Sequence, residues 1–168
     1  MESPAAHPQD LLFDAARKGD VAQIEQLLQN SAVGINAQNE KGFSALVLAT
    51  YDNQLAAVRV LLDHHAYPNG QDASGNSALM GVSFKGYSEI ARLLIARGAD
   101  LNLTNCNGST ALMFATMFGR NELVKLLLEA GADATVQDAR GLTALHLAGQ
   151  KGNQEAFALL GGEPEAAE

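Results

Sequence analysis

The chain has 168 residues, of which 47% are hydrophobic and 18% charged, and a formal net charge of −8 at pH 7. This length suits one folded domain, and the single cysteine, Cys106, excludes an intramolecular disulfide. The 11 basic residues are scattered along an acidic chain. Because phosphate binding needs clustered Lys and Arg, we expect no nucleic-acid partner; a basic peptide or a mixed protein surface is easier to accommodate.

The amino terminus, from Met1 to Pro4, lacks the basic and apolar segments of a secretory signal. No apolar run approaches the roughly 18 residues of a membrane span. A lone cysteine is typical of a reducing compartment. These features predict a cytoplasmic protein that does not contact a membrane.

A glycine recurs every 33 residues, at Gly42, Gly75, Gly108 and Gly141. A period of this length predicts an array of stacked units, each contacting mainly its neighbours. In chain order, we predict a disordered segment at 1–9, a single repeat domain at 10–162, and an acidic, disordered tail at 163–168. The domain divides into an amino-terminal capping repeat (10–38), three full repeats (39–71, 72–104 and 105–137) and a carboxyl-terminal capping repeat (138–162).

The repeat 105–137 shows the predicted pattern of each unit. Thr110 occupies a helix N-cap position, before a predicted helix from Ala111 to Phe118. Gly119 ends that helix, and a second follows from Asn121 to Glu129, which Gly131 closes in the left-handed conformation. Helices this short are marginal alone in water, so we expect them to depend on stacking.

The segment Thr143-Ala144-Leu145-His146-Leu147-Ala148 resembles the signature of the ankyrin repeat. The Gly-Ala-Asp segments that begin at Gly98 and Gly131 match the same family. The resemblance implies an all-α ankyrin-repeat solenoid of helix-loop-helix units joined by β-turn or hairpin links. It also implies that His146 makes a structural hydrogen bond and that an asparagine pins each link, at Asn36, Asn69 and Asn102.

Several positions depart from the family pattern. His65 stands where Gly98 and Gly131 close the second helix in later repeats. We therefore expect local strain or an altered loop there. Met80 and Met113 replace the family histidine, and we expect them to be partly buried in the packing, with contact to a ligand as the alternative.

No catalytic constellation is apparent, and we predict a protein that is not an enzyme and has no cofactor or metal. Cys106 falls at a turn tip, where a harmless surface thiol is the simple interpretation and a redox or interfacial role the alternative. His64 and His65 are adjacent on a helix end and therefore point apart, and no third ligand is near in sequence.

In ankyrin-like stacks, partner proteins bind the turn tips and the concave face that carries the first helices. By register, the ends of the first helices present Tyr51, Phe84, Met117 and Phe118, where polar residues are usual in the family. Aromatic residues and Met flanked by charge are typical of interface anchors; the alternative is that these side chains fold back over the core. The complete set predicted to bind a partner is Arg17, Lys18, Lys41, Phe43, Tyr51, Asp52, Phe84, Lys85, Asn107, Met117, Phe118, Arg140 and Lys151.

The sequence thus predicts a non-enzymatic interaction module, a small adaptor or inhibitor that binds another protein and is monomeric when free. A regulatory subunit of an enzyme or stress-response complex is the first alternative. A hydrolase or metal-dependent enzyme is the second.

Overall fold

The computed structural model describes residues 7–163, which form ten α-helices in pairs. The first helix of each pair packs on the first helices of adjacent pairs, and the second helices form a parallel layer behind them. This is the predicted all-α solenoid. The helices are α1 (Pro8–Lys18), α2 (Val21–Leu28), α3 (Ala45–Tyr51), α4 (Leu55–Asp63), α5 (Ala78–Lys85), α6 (Ser88–Ala96), α7 (Ala111–Met117), α8 (Asn121–Glu129), α9 (Ala144–Lys151) and α10 (Gln154–Leu159).

The predicted amino-terminal boundary of the domain needs correction, and the outer parts of both predicted terminal segments lie outside the described residues. Helix α1 begins at Pro8, so the predicted disordered segment 1–9 is too long by two residues. His7 caps that helix, and proline suits its first position because the missing N–H has no helical partner there. Residues 1–6 of the predicted segment and residues 164–168 of the predicted tail fall outside the described part of the chain.

Hydroxyl side chains begin the first helices from α3 onward. The Thr110 hydroxyl accepts a hydrogen bond from the Met113 amide at 3.3 Å, as its N-cap position predicts. Ser44 and Ser77 cap α3 and α5 in the same way. The His146 amide donates to the Thr143 hydroxyl, and the His146 ring accepts from the Thr143 amide, which confirms its structural role.

The core is a continuous layer of small and aliphatic side chains that repeats with the 33-residue period. Leu61, Leu94 and Leu127 are fully buried at equivalent positions of three second helices. Where the paired helices press together, the buried residues are Ala49, Val82, Ala115 and Ala148. Small residues there let the two helices of each repeat approach closely.

Backbone hydrogen bonds join each hairpin tip to the next. The Ala73 amide donates to the Lys41 carbonyl at 3.3 Å, and the Cys106 amide to the Ser74 carbonyl at 3.0 Å. The Ala139 amide completes the series, at 2.9 Å from the Asn107 carbonyl. The tips therefore form a ladder that holds consecutive repeats in register.

A glycine at a hairpin tip can meet two needs, the backbone conformation of the turn and the close approach of the next repeat. Gly75 has φ of +79°, and a Cβ there would lie 3.0 Å from the backbone of Asn105 and Cys106 in the next repeat. Gly141 has the same conformation, φ +78°, but a Cβ there would meet nothing within 4 Å among residues 7–163. The 33-residue period thus reflects two requirements, backbone conformation and close approach, and the last glycine meets only the first.

The irregular end of the first full repeat has the conformation that its sequence predicts. His65 has φ of +64°, a region that costs a non-glycine residue about 1–2 kcal/mol. Beyond it, the Asn36 side chain accepts from the Tyr67 amide at 2.7 Å. Asn69 and Asn102 accept from Asp100 and Asp133 in the same way, so all three asparagines pin the links as expected.

Candidate protein-binding surface

Two phenylalanines lie exposed side by side on the concave face, which here means the hairpin tips together with the ends of the first helices. The rings of Phe84 and Phe118 meet edge to face, with centroids 4.6 Å apart. Phe84 is 37% exposed and Phe118 is 44% exposed. Phe118 caps α7 rather than ending it, one residue beyond the helix. The pair presents apolar surface that the fold does not bury.

These rings form one wall of a hollow of about 220 Å³ between α3, α5 and α7. Its other lining residues include Tyr51, Met80 and Phe114. The Phe114 and Phe118 rings stack with centroids 6.4 Å apart. A largely apolar hollow of this size can hold one large side chain of a partner.

Tyr51 lies deeper than the phenylalanines because Gly81 makes room for it. A Cβ on Gly81 would lie 3.2 Å from the Tyr51 ring, so the ring rests on the backbone of α5. Burial, and then the nearby Asp72 carboxylate, raise the pKa of the Tyr51 phenol above its usual 10.0. Tyr51 therefore forms the floor of the hollow, with its neighbour Phe43 at a centroid distance of 6.1 Å.

Two more hollows continue along the concave face. One, of about 440 Å³, lies at the amino-terminal end and is lined by Arg17, Glu40 and Lys41, among others. The other, of about 360 Å³, lies on the far side of Phe118. Its predicted site residues are Asn107, Met117 and Arg140. The structure thus distributes the predicted set along one face, with the aromatic hollow in the middle.

The charged residues of the predicted set lie at the ends of the first helices or, for Lys41 and Arg140, at hairpin tips, and all are exposed. Lys18, Lys85 and Lys151 are the last residues of α1, α5 and α9. Asp52 holds the equivalent position after α3. The Lys85 ammonium lies 5.9 Å from the centroid of the Phe84 ring, a cation–π distance.

At the last hairpin tip, the predicted cation Arg140 has a carboxylate partner. Its guanidinium donates two hydrogen bonds to Asp138, at 2.8 and 3.1 Å. These bonds hold the pKa of the Asp138 carboxyl below its usual range. Asp138 also accepts from the Leu142 amide, so this pair supports the last turn.

Gly81 and Phe114 also line the hollow but are not in the predicted set. They hold the same register position, where Leu48 and Leu147 stand in other repeats. A glycine inside a predicted helix lowers the stability of that helix. Gly81 is therefore the sequence signal that points to this register position. Met80 and Met113, expected to be partly buried, are each 1% exposed, and Met80 lies on the floor of the hollow.

The other candidates for chemistry do not line the aromatic hollow. Cys106 is exposed at its turn tip, as predicted. Within residues 7–163, no three His, Cys, Asp or Glu side chains are grouped so as to hold a metal ion. Across the same residues, every helix is too short or too polar to span a bilayer.

The fold defines a class, a solenoid of helical pairs linked by hairpins, and comparison with known proteins gives the family. The family model "Ankyrin repeats (3 copies)" matches residues 12–105 and 79–166. The two matches together cover most of the chain, which therefore belongs to the ankyrin-repeat family. Ankyrin repeats are protein–protein interaction modules and are typically not enzymes. No curated protein matches the chain significantly.

Proposed function

We propose that this protein acts as a small adaptor or inhibitor in the cytoplasm, and that it binds one partner protein through its concave face. The observation that carries the proposal is the exposed Phe84–Phe118 pair beside an apolar hollow. Exposed aromatic residues that cluster over a pocket are typical of the few residues that dominate interface energies.

The position of the hollow supports the same proposal. It lies midway along the first-helix layer, with further hollows on each side. A partner that fills the central hollow can therefore also contact the hairpin tips. With no effector domain within residues 7–163, binding would act by occlusion or by bringing partners together.

The experiment that tests this function compares capture of proteins from a native lysate by three forms of the chain. The wild type and Tyr67→Ala should capture the same protein, because Tyr67 is 59% exposed but lies in the link after α4. Phe84→Ala/Phe118→Ala should lose it. The captured protein is then purified, and its binding to each form is measured by calorimetry.

Equal binding by all three forms would contradict the concave-face proposal. Loss of binding with Tyr67→Ala alone would move the site to the link after α4. Circular dichroism of each variant separates lost contacts from lost folding.

A further inference from the structure

We propose that the occupant of the concave face is an acidic protein segment, which places one large apolar side chain in the aromatic hollow and carboxylates against Lys85 and Lys151. This inference rests on the proposed function and specifies the chemistry of the partner. It reverses the expectation from net charge, because an acidic chain as a whole favours a basic partner.

The first observation concerns the carboxylate partners of individual cations on the two sides of the molecule. On the side of the second helices, Arg97, the residue after α6, pairs with Asp63 at 2.6 Å, and Arg92 of α6 with Glu122 at 3.5 Å. Lys85 and Lys151 have no carboxylate within 4 Å among residues 7–163. Lys85 and Lys151 are therefore available to a partner's carboxylates, whereas Arg140 pairs with Asp138.

The second observation is the sign of the charges around the aromatic pair. From residue 73 onward, the variable positions at the tips and first-helix ends carry three charges, on Lys85, Arg140 and Lys151, and all are positive. The acids at the neighbouring tips are Asp72, which lies near Tyr51, and Asp138, which pairs with Arg140. With Arg140 paired, Lys85 and Lys151 leave this half of the face net positive, although the chain carries −8 overall.

The third observation is register. Lys85, Phe118 and Lys151 are spaced 33 residues apart, so they hold the same position on three adjacent first helices. Helices pack about 8–10 Å apart, and an extended chain rises about 3.3 Å per residue. A partner segment with an apolar anchor over Phe118 would reach each lysine with a carboxylate three residues before or after that anchor.

Asp52 limits where such a segment can lie. It holds the same position on α3, and its charge would repel a carboxylate. An acidic segment is therefore confined to the span from α5 to α9, which contains the exposed phenylalanines.

The test uses synthetic peptides with a central tryptophan, because the chain itself contains no tryptophan and the peptide's fluorescence reports its own burial. The acidic probe is Glu-Gly-Ser-Trp-Ser-Gly-Glu, and the matched probe has lysine in place of each glutamate. We expect the emission of the acidic probe to shift to the blue on binding, and added salt to weaken that binding. The lysine probe should bind at least about tenfold more weakly.

Two double variants with the same net charge provide the control. Lys85→Glu/Lys151→Glu should weaken binding of the acidic probe by about tenfold and favour the lysine probe. Arg59→Glu/Arg92→Glu makes the same change on the second helices and should leave the preference unaltered. If Lys85 and Lys151 serve only to complement helix carboxyl termini, their substitution will lower the melting temperature without changing peptide binding, which overturns the inference.

If the lysine probe binds more tightly than the acidic probe, the inference is overturned. If that binding is also lost on Phe118→Ala, the concave face remains the binding surface. Binding of neither probe at millimolar concentration would overturn the short-segment inference, whereas the proposed function stands or falls on the capture experiment.

Discussion

The hairpin tips and the ends of the first helices lie on the same face, yet their residue identities are constrained differently. At the tips, Gly42, Gly75 and Gly108 are the same residue because each approaches the backbone of the next repeat. At the helix ends, Tyr51, Phe84 and Met117 share one position and differ in size and burial. The comparison teaches that residue identity in this array is fixed where repeats touch each other. Where a repeat meets solvent or a partner, the identity is free to vary.

The largest effect should come from the layer where repeats touch. Leu127→Ala removes a side chain that is fully buried between α8 and its neighbours, which should lower the free energy of unfolding by about 2–5 kcal/mol. Urea unfolding measures this loss. Leu159, 37% exposed in α10, is the matched control, and equal losses from the two leucines would contradict the contrast between buried layer and surface.

Next in size is the effect of adding a methyl group at a hairpin tip. Gly75→Ala places a Cβ against the next repeat as well as at positive φ, and should cost about 2–3 kcal/mol. Gly141→Ala has the same backbone strain but open space around the Cβ, and should cost about 1 kcal/mol. Thermal unfolding of both variants would show whether close approach to the next repeat adds to the backbone strain. Identical melting temperatures would mean that close approach contributes nothing.

A smaller effect on stability is expected at the exposed aromatic pair. Phe118→Ala removes a half-exposed ring and its edge-to-face contact with Phe84, and should cost about 1 kcal/mol. Denaturant unfolding decides between the two interpretations of this residue. A loss as large as that of Leu127→Ala would mean that Phe118 belongs to the core rather than to a binding surface.

His65 offers a gain rather than a loss. His65→Gly relieves a left-handed conformation, and after the added chain entropy of glycine it should stabilise the fold by about 0.5–1 kcal/mol. His64→Gly is the neighbouring control, because His64 has φ of −87° and its substitution relieves nothing. A lower melting temperature for His65→Gly would show that the imidazole makes a contact that outweighs the strain.

The smallest effect is a pH dependence that reports how deeply Tyr51 lies. Its pKa is raised in the folded state, so folding favours the neutral phenol. The stability that this provides is present below the unfolded-state pKa, near 10, and is lost as pH rises through the folded-state pKa. Tyr51→Phe keeps the ring and removes the titration, so unfolding free energies measured between pH 8 and 11 should fall less steeply for the variant. Parallel curves would place the phenol in solvent.

The sequence predicts the fold well because the array depends on local chemistry that recurs. Thr110 as a helix cap and Gly131 as a left-handed helix end follow from residue type alone. The depth of each aromatic side chain does not follow in the same way. Tyr51 is half-buried because Gly81, thirty residues later, has no side chain, and Phe84 is exposed although it holds the same register position. Register places a residue on a face, whereas its burial depends on neighbours from the next repeat.

The ladder of backbone hydrogen bonds along the tips has a consequence for engineering. Each rung joins one repeat only to the next, and the final tip glycine has open space beside it. A second copy of residues 105–137, inserted after residue 137, would meet the last repeat through the contacts that α7 and α8 already make with it. The number of repeats in this molecule can therefore be changed one repeat at a time. Each added repeat would lengthen the surface by one helix pair.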